Sequence, residues 1–263
     1  MLRQVLGTDK TGAAGIELVR LLAEKKSPDI TEIQRIYELC TASTSHHSNL
    51  DNETLIQFAS IFENVGQINN AEKILLETVQ RSKMLGDDSS IIDLAEFYVR
   101  HGKLSDARSV LTPLISPTRP ILSTFVRGDV YYNLAIIAEK QFDVGDAKKN
   151  YEQAIAEYSL MDSDSFVYPK VYLDYFHFLI GHHELARAEA VLKNAVNEPK
   201  ILKTDTIYYE LGKFYEQQAK PEDALVAYRH AYRNNRNQPE YREAVNRTKS
   251  ILAPTAGLEP ATR

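Results

Sequence analysis

Apolar and small residues recur at helical spacing along most of this chain, and short polar turns break them at near-regular intervals. From Asp205 the sequence reads DTIYYELGKFYEQQAKPEDALVAYRHAYRNN, with Tyr208, Leu211, Gly212 and Tyr215 on one stretch and Ala224, Tyr228 and Ala231 on the next. Residues three and four apart share a face of an α-helix, so each stretch predicts an amphipathic helix. Lys220-Pro221-Glu222-Asp223 between them supplies a turn, a proline suited to the first helical position and an acidic first turn. Small side chains at Gly212, Ala224 and Ala231 would let two helices approach closely while Tyr and Leu fill the space beside them.

The same spacing appears upstream. Tyr131, Leu134, Ala135 and Ala138 precede Ala147, Tyr151 and Ala154; Tyr172, Tyr175, Phe176 and Leu179 precede Ala188, Leu192 and Ala195. Ile91, Leu94, Ala95 and Tyr98 precede Ala107, Leu111 and Leu114, and Leu55, Phe58, Ala59 and Phe62 precede Ala71, Leu75 and Thr78. This pattern resembles the tetratricopeptide (TPR) signature, in which an aromatic, a Leu-Gly pair and a Tyr are followed after a turn by Ala, an aromatic and Ala. The marker alanines Ala71, Ala107, Ala147, Ala188 and Ala224 stand 36, 40, 41 and 36 residues apart. The standard repeat is about 34 residues, so these units are lengthened, with the excess in segments such as SPTRPILST and LMDSDSFVYP.

Two further amphipathic stretches, IELVRLLAEKK and ITEIQRIYELC, flank Ser27-Pro28-Asp29 and read as a degenerate first pair. At the other end PEYREAVNRTKSILA puts Tyr241, Ala244, Val245, Thr248 and Leu252 on one face, as a capping helix would. The resemblance therefore implies an all-α fold, a right-handed α-solenoid of about six antiparallel helix pairs. The expected pairs are 12–45, 52–85, 88–117, 121–161, 165–198 and 204–236, with a cap at 239–252, all in one solenoid over 1–253. Residues 254–263, PTAGLEPATR, are expected to be a disordered tail.

Composition narrows the function. With 31 basic and 36 acidic residues the net charge is -5, which offers no general attraction to nucleic acid or anionic membranes. No run of about 18 uncharged apolar residues predicts a membrane span, and the start has no secretory pattern, so a cytoplasmic location is expected. The single cysteine, Cys40, lies in an apolar pattern and is expected to be a buried thiol, which excludes an intramolecular disulfide and a cysteine zinc site. His46-His47 and His182-His183 are adjacent pairs beside turns with no third ligand, so no metal is expected. Phosphate-loop and nucleophile motifs are missing, and the reading is of a protein that is not an enzyme and needs no cofactor.

What the resemblance implies is protein binding. TPR pairs present their first helices on a concave face that holds a segment of a partner, at positions flanking Leu-Gly. Here those positions are Gln57 and Ser60, Asp93 and Glu96, Asn133 and Ile136, Asp174 and His177, and Glu210 and Lys213, with Tyr132 and Tyr209 beside them. Only Asn133 matches the carboxylate clamp of chaperone-binding members, and Asp93, Glu96, Asp174 and Glu210 would repel an acidic tail. A segment carrying Lys or Arg is the complementary partner; a merely solvated acidic face is the plain alternative. RNA binding, which needs a basic face, is disfavoured. A peptide-responsive regulatory module of a bacterial signalling or secretion system is the second functional reading, and an unfilled end or groove could also pair with a second copy.

Overall fold

The computed structural model describes residues 13–41, 50–85, 87–116, 123–161, 167 and 169–253. Its architecture is all-α, thirteen helices among the described residues, in stacked adjacent pairs. The chain divides into two compact units, Met1–Asp143 and Val144–Arg263. The first holds α1 (Ala13–Ala23), α2 (Ile30–Thr41), α3 (Asn52–Asn64), α4 (Ile68–Leu85), α5 (Ser89–Arg100), α6 (Leu104–Leu111) and α7 (Thr124–Lys140), with a 3-10 turn at Thr112–Ile115. The second holds α8 (Val144–Ser159), α9 (Lys170–Gly181), α10 (Leu185–Asn197), α11 (Thr204–Gln217), α12 (Pro221–Asn234) and α13 (Pro239–Leu252).

The marker alanines explain the pairing. Ala71, Ala107, Ala147, Ala188 and Ala224 are each fully buried. A larger side chain there would hold the second helix of a pair off its neighbours. Gly212 shows how tight the approach is: a Cβ built on it would lie 2.4 Å from Cε1 of Tyr228 on α12. In the first unit Phe58, Phe62, Leu94, Phe97, Leu111 and Ile137 are fully buried in a continuous apolar core. Cys40 is a buried free thiol.

A common backbone device ends each first helix of the signature-bearing pairs. Gly66, Gly102, Phe142, His183 and Ala219 all have positive φ, between 54° and 78°. Each stands five residues before a marker alanine. The following N–H donates back to a carbonyl five residues earlier: Gln67 to Phe62, Lys103 to Tyr98, Asp143 to Ala138, Glu184 to Leu179 and Lys220 to Tyr215, at 2.8–2.9 Å. This is the Schellman closure, which satisfies carbonyls that a helix end leaves without partners. Glycine fills the left-handed position twice; Phe142, His183 and Ala219 accept it with a Cβ in place.

Starts are capped more simply. Asp51 accepts the N–H of Thr54 at 2.7 Å, and Ser123 accepts that of Val126 at 3.3 Å. Pro221 and Pro239 sit in the first turns of α12 and α13. The cap helix α13 docks through polar anchors as well as its apolar stripe. Glu216 of α11 accepts from the Tyr228 hydroxyl at 2.7 Å, from Arg247 Nη2 at 2.9 Å and from the Thr248 hydroxyl at 3.1 Å. Burial alone would raise the Glu216 carboxyl; these donors, Arg247 first, overcome it and hold the carboxyl below its ordinary range.

Candidate protein-interaction faces

The first-helix positions singled out in the sequence fall into two sets, one in each unit. On α3, Gln57 is half-buried and Ser60 exposed. On α5, Asp93 and Glu96 are both partly buried, one turn apart on the same face. On α7, however, Tyr132 and Asn133 are 6% and 2% exposed, so little of either is left to meet a partner, and Ile136 packs partly into the core. The Asn133 amide is used locally, donating to the Asp129 carbonyl at 3.0 Å.

Asp93 is the most perturbed group of the first unit's set. Burial pushes its carboxyl up from 3.8 to about 6, and the carboxylates of Glu96, Asp129 and Asp87 add to the rise. Arg100 is the nearby cation that opposes the rise. Its guanidinium is engaged elsewhere, gripping Glu63 of α3 through two bonds of 2.9 Å, and it stands 3.8 Å from Glu96. His101 adds a third contact to Glu63 at 2.9 Å. Glu63 is thereby held below the usual range: burial pulls upward, and the bonds and charges of Arg100 and His101 prevail. Asp129 escaped the sequence reading because the signature on α7 begins at Tyr131; its place four residues before Asn133, one turn back along the helix, was the signal that could have found it.

In the second unit Asp174 is half-buried and His177 exposed, its ring 5.1 Å from that of Phe176. Glu210 and Lys213 pair with each other at 3.0 Å, and Lys213 also sits 5.8 Å above the centre of the Tyr209 ring. Tyr209 in turn packs against Tyr241 and Tyr228, ring centres 4.8 and 5.5 Å away. The acidic lean read from sequence is thus partly met internally here, whereas around Asp93 it is reinforced.

Other candidates form no centre. His182 and His183 are exposed, and His46-His47 lie outside the described residues, as does the expected tail at 254–263. Among the described residues no three His, Cys, Asp or Glu side chains gather as a metal site, and no helix is long and apolar enough to cross a membrane.

The tetratricopeptide repeat family model matches residues 128–158 and 205–238. These two stretches are tetratricopeptide repeats. In TPR proteins the repeat is suited to a protein-interaction scaffold, and such modules are generally non-catalytic. Among solved structures, BtubC (BKLC) from P. vanneervenii is similar over 100% of this chain and 96% of its own, with a TM-score of 0.57 and 17% identity. A TPR protein from Parabacteroides merdae ATCC 43184 matches at TM-score 0.50 and 14% identity, over 94% of this chain and 90% of its own. At such identities the likeness concerns the fold alone. No curated protein matches the sequence.

Proposed function

We propose that this TPR chain is a non-catalytic scaffold that holds a segment of another protein against its first helices, and that a Lys or Arg of that segment sits beside Asp93. The observation that carries this reading is the Asp93 carboxyl, pushed up to about 6 by burial and by the neighbouring carboxylates of Glu96 and Asp129. At neutral pH this face keeps like charges close together in partly desolvated surroundings, which is unfavourable until a cation enters.

Titration of the full chain with a Lys-rich amphipathic peptide and with its Glu-for-Lys counterpart tests the proposal. The basic peptide should bind, and Asp93→Asn combined with Glu96→Gln should weaken it several-fold. A cation that pulls the Asp93 carboxyl back toward its ordinary range also expels a proton near pH 6, so the binding heat should depend on the ionisation enthalpy of the buffer. Equal or better binding of the acidic peptide, or no effect of the two substitutions, would rule the reading out.

A further inference from the structure

Most arginines among the described residues are held by a partner. Five pair with carboxylates, Arg100 and Arg247 among them, while Arg81 and Arg108 donate to the Leu50 carbonyl and to Gln141. Four have neither an ion pair nor a side-chain hydrogen bond among the described residues: Arg229, Arg233, Arg236 and Arg242. All four are exposed, and all fall in one short stretch, from the last half of α12 to the first turn of α13. Residues 229–249 hold six Arg and Lys against two Glu, a net charge of +4 in a chain of -5, so the remainder carries -9.

This clustering does not favour the free protein. Arg229 and Arg233 stand one turn apart on α12, a spacing at which like charges repel, and Arg242 lies at the end of α13 where the helix dipole disfavours a cation. Glu240 and Glu243, the nearest acids in sequence, take up none of the four. A guanidinium is more weakly hydrated than an ammonium and its fork matches a carboxylate, which is why arginine is enriched at protein interfaces and lysine depleted. Val226, 54% exposed, precedes Arg229 by one turn on the same face of α12, so an apolar contact stands among the charges.

The chain itself carries the complementary surface. On α5 and α7 the carboxylates of Asp93, Glu96 and Asp129 act on one another, and Arg100 is drawn off to Glu63. Phe125, 49% exposed, precedes Asp129 by one turn of α7, so this face too sets an apolar side chain beside its charges. A nucleic acid or an anionic membrane approaching the arginines would be repelled by the -9 of the remainder. For a second copy the same acidity is the attraction.

We infer that the basic surface of α12 and α13 docks on the acidic face of α5 and α7 in a second copy of this chain, with Arg233 and Arg236 meeting Asp93 and Glu96 while Val226 and Phe125 add apolar contact. This rests on the cation-binding role proposed above for Asp93 and identifies what brings the cation. The two surfaces differ, so the contact is heterologous, and its exposed charges make it sensitive to salt.

Sedimentation velocity of the full chain, from micromolar to several hundred micromolar, tests this. In about 50 mM salt the average mass should rise well above 29.8 kDa with concentration, and in about 500 mM salt the association should weaken at least roughly tenfold. Arg233→Glu with Arg236→Glu removes one surface, and Asp93→Asn with Glu96→Gln removes the other; each doubly substituted chain alone should stay monomeric. Mixed in equal amounts, the two should associate again, because one keeps the acidic face and the other the arginines, and that recovery also shows both to be folded. The inference is overturned if the native chain is monomeric at every concentration, if association ignores salt or either pair of substitutions, or if the mixture stays monomeric. It is equally overturned if an RNA oligonucleotide or an anionic vesicle binds through these arginines while the chain remains monomeric. A chain that binds the basic peptide at Asp93 yet never self-associates sinks this inference and leaves the proposed function standing; failure of both measurements sinks the two together.

Discussion

Replacing Ala219 by Gly should stabilise the protein, and replacing Gly102 by Ala should destabilise it, because both residues occupy the same left-handed position of the helix-ending turn, with φ of 54° and 71°. For a residue with a Cβ this conformation costs about 1–2 kcal/mol. Glycine gives back roughly 0.4–1 kcal/mol through the greater freedom of its unfolded chain. The difference leaves glycine favoured by about 0.5–1 kcal/mol at either turn. Packing does not blur the comparison: a Cβ on Gly102 meets nothing within 4 Å, and Ala219 is exposed. Thermal melts followed by circular dichroism should show shifts of about 1–4 °C, upward for Ala219→Gly and downward for Gly102→Ala. An exposed alanine inside a helix, Ala156 of α8, provides the control. There the same Ala→Gly change should destabilise by roughly 0.5–1 kcal/mol, since only helix propensity is altered. If Ala219→Gly lowers the midpoint as Ala156→Gly does, the left-handed strain assigned to this turn is absent and the argument fails. His183→Gly and Phe142→Gly should follow Ala219→Gly in sign.

Two other substitutions probe packing and charge. In Gly212→Ala the new methyl meets Cε1 and Cδ1 of Tyr228 at 2.4 and 2.5 Å, and that ring is fully buried with its hydroxyl held by Glu216. A loss of about 1–3 kcal/mol is expected in chemical denaturation, and hydrogen exchange should show lower protection in α13, which Glu216 also anchors. For Asp93 the folded carboxyl, at about 6, lies above its ordinary 3.8. The folded state therefore binds more protons between those values, and this residue's destabilising effect, full above pH 6, fades as pH falls toward 4. Asp93→Asn should raise the midpoint at pH 7 and change it little at pH 4; an equal shift at both would mean that charge is not the cause.

The repeat was legible because its physics is local and periodic. A marker alanine must be small wherever a second helix crosses its neighbours, so Ala71, Ala107, Ala147, Ala188 and Ala224 stand out by spacing and are all fully buried. The turns were not legible: sequence signals a left-handed residue only where it is glycine, as at Gly66 and Gly102, and carries no such signal at Phe142 and His183. Tyr172 read as a packing aromatic, and it is buried as one. Position within a repeat also proved a coarse guide to exposure, for Asn133 is buried while Asp174 and Glu210 at the corresponding places are only partly so.

Counting charges along the first helices treats Asp93, Glu96, Asp174 and Glu210 as equals, and their surroundings do not. Glu210 finds Lys213 one turn along its own helix, an i,i+3 pair that a surface helix forms readily and that contributes little. Asp93 has an arginine within reach that is held by Glu63, and three further carboxylates near it, those of Glu96, Asp129 and Asp87. Burial first, and then these carboxylates, lift the Asp93 carboxyl to about 6, whereas a fully hydrated carboxylate would have its neighbours screened by water. Solubility would be served as well by exposed carboxylates spread apart. Burial and, after it, the crowding around Asp93 carry a cost in the free protein, and under the function proposed above a cationic partner group would remove that cost at α5.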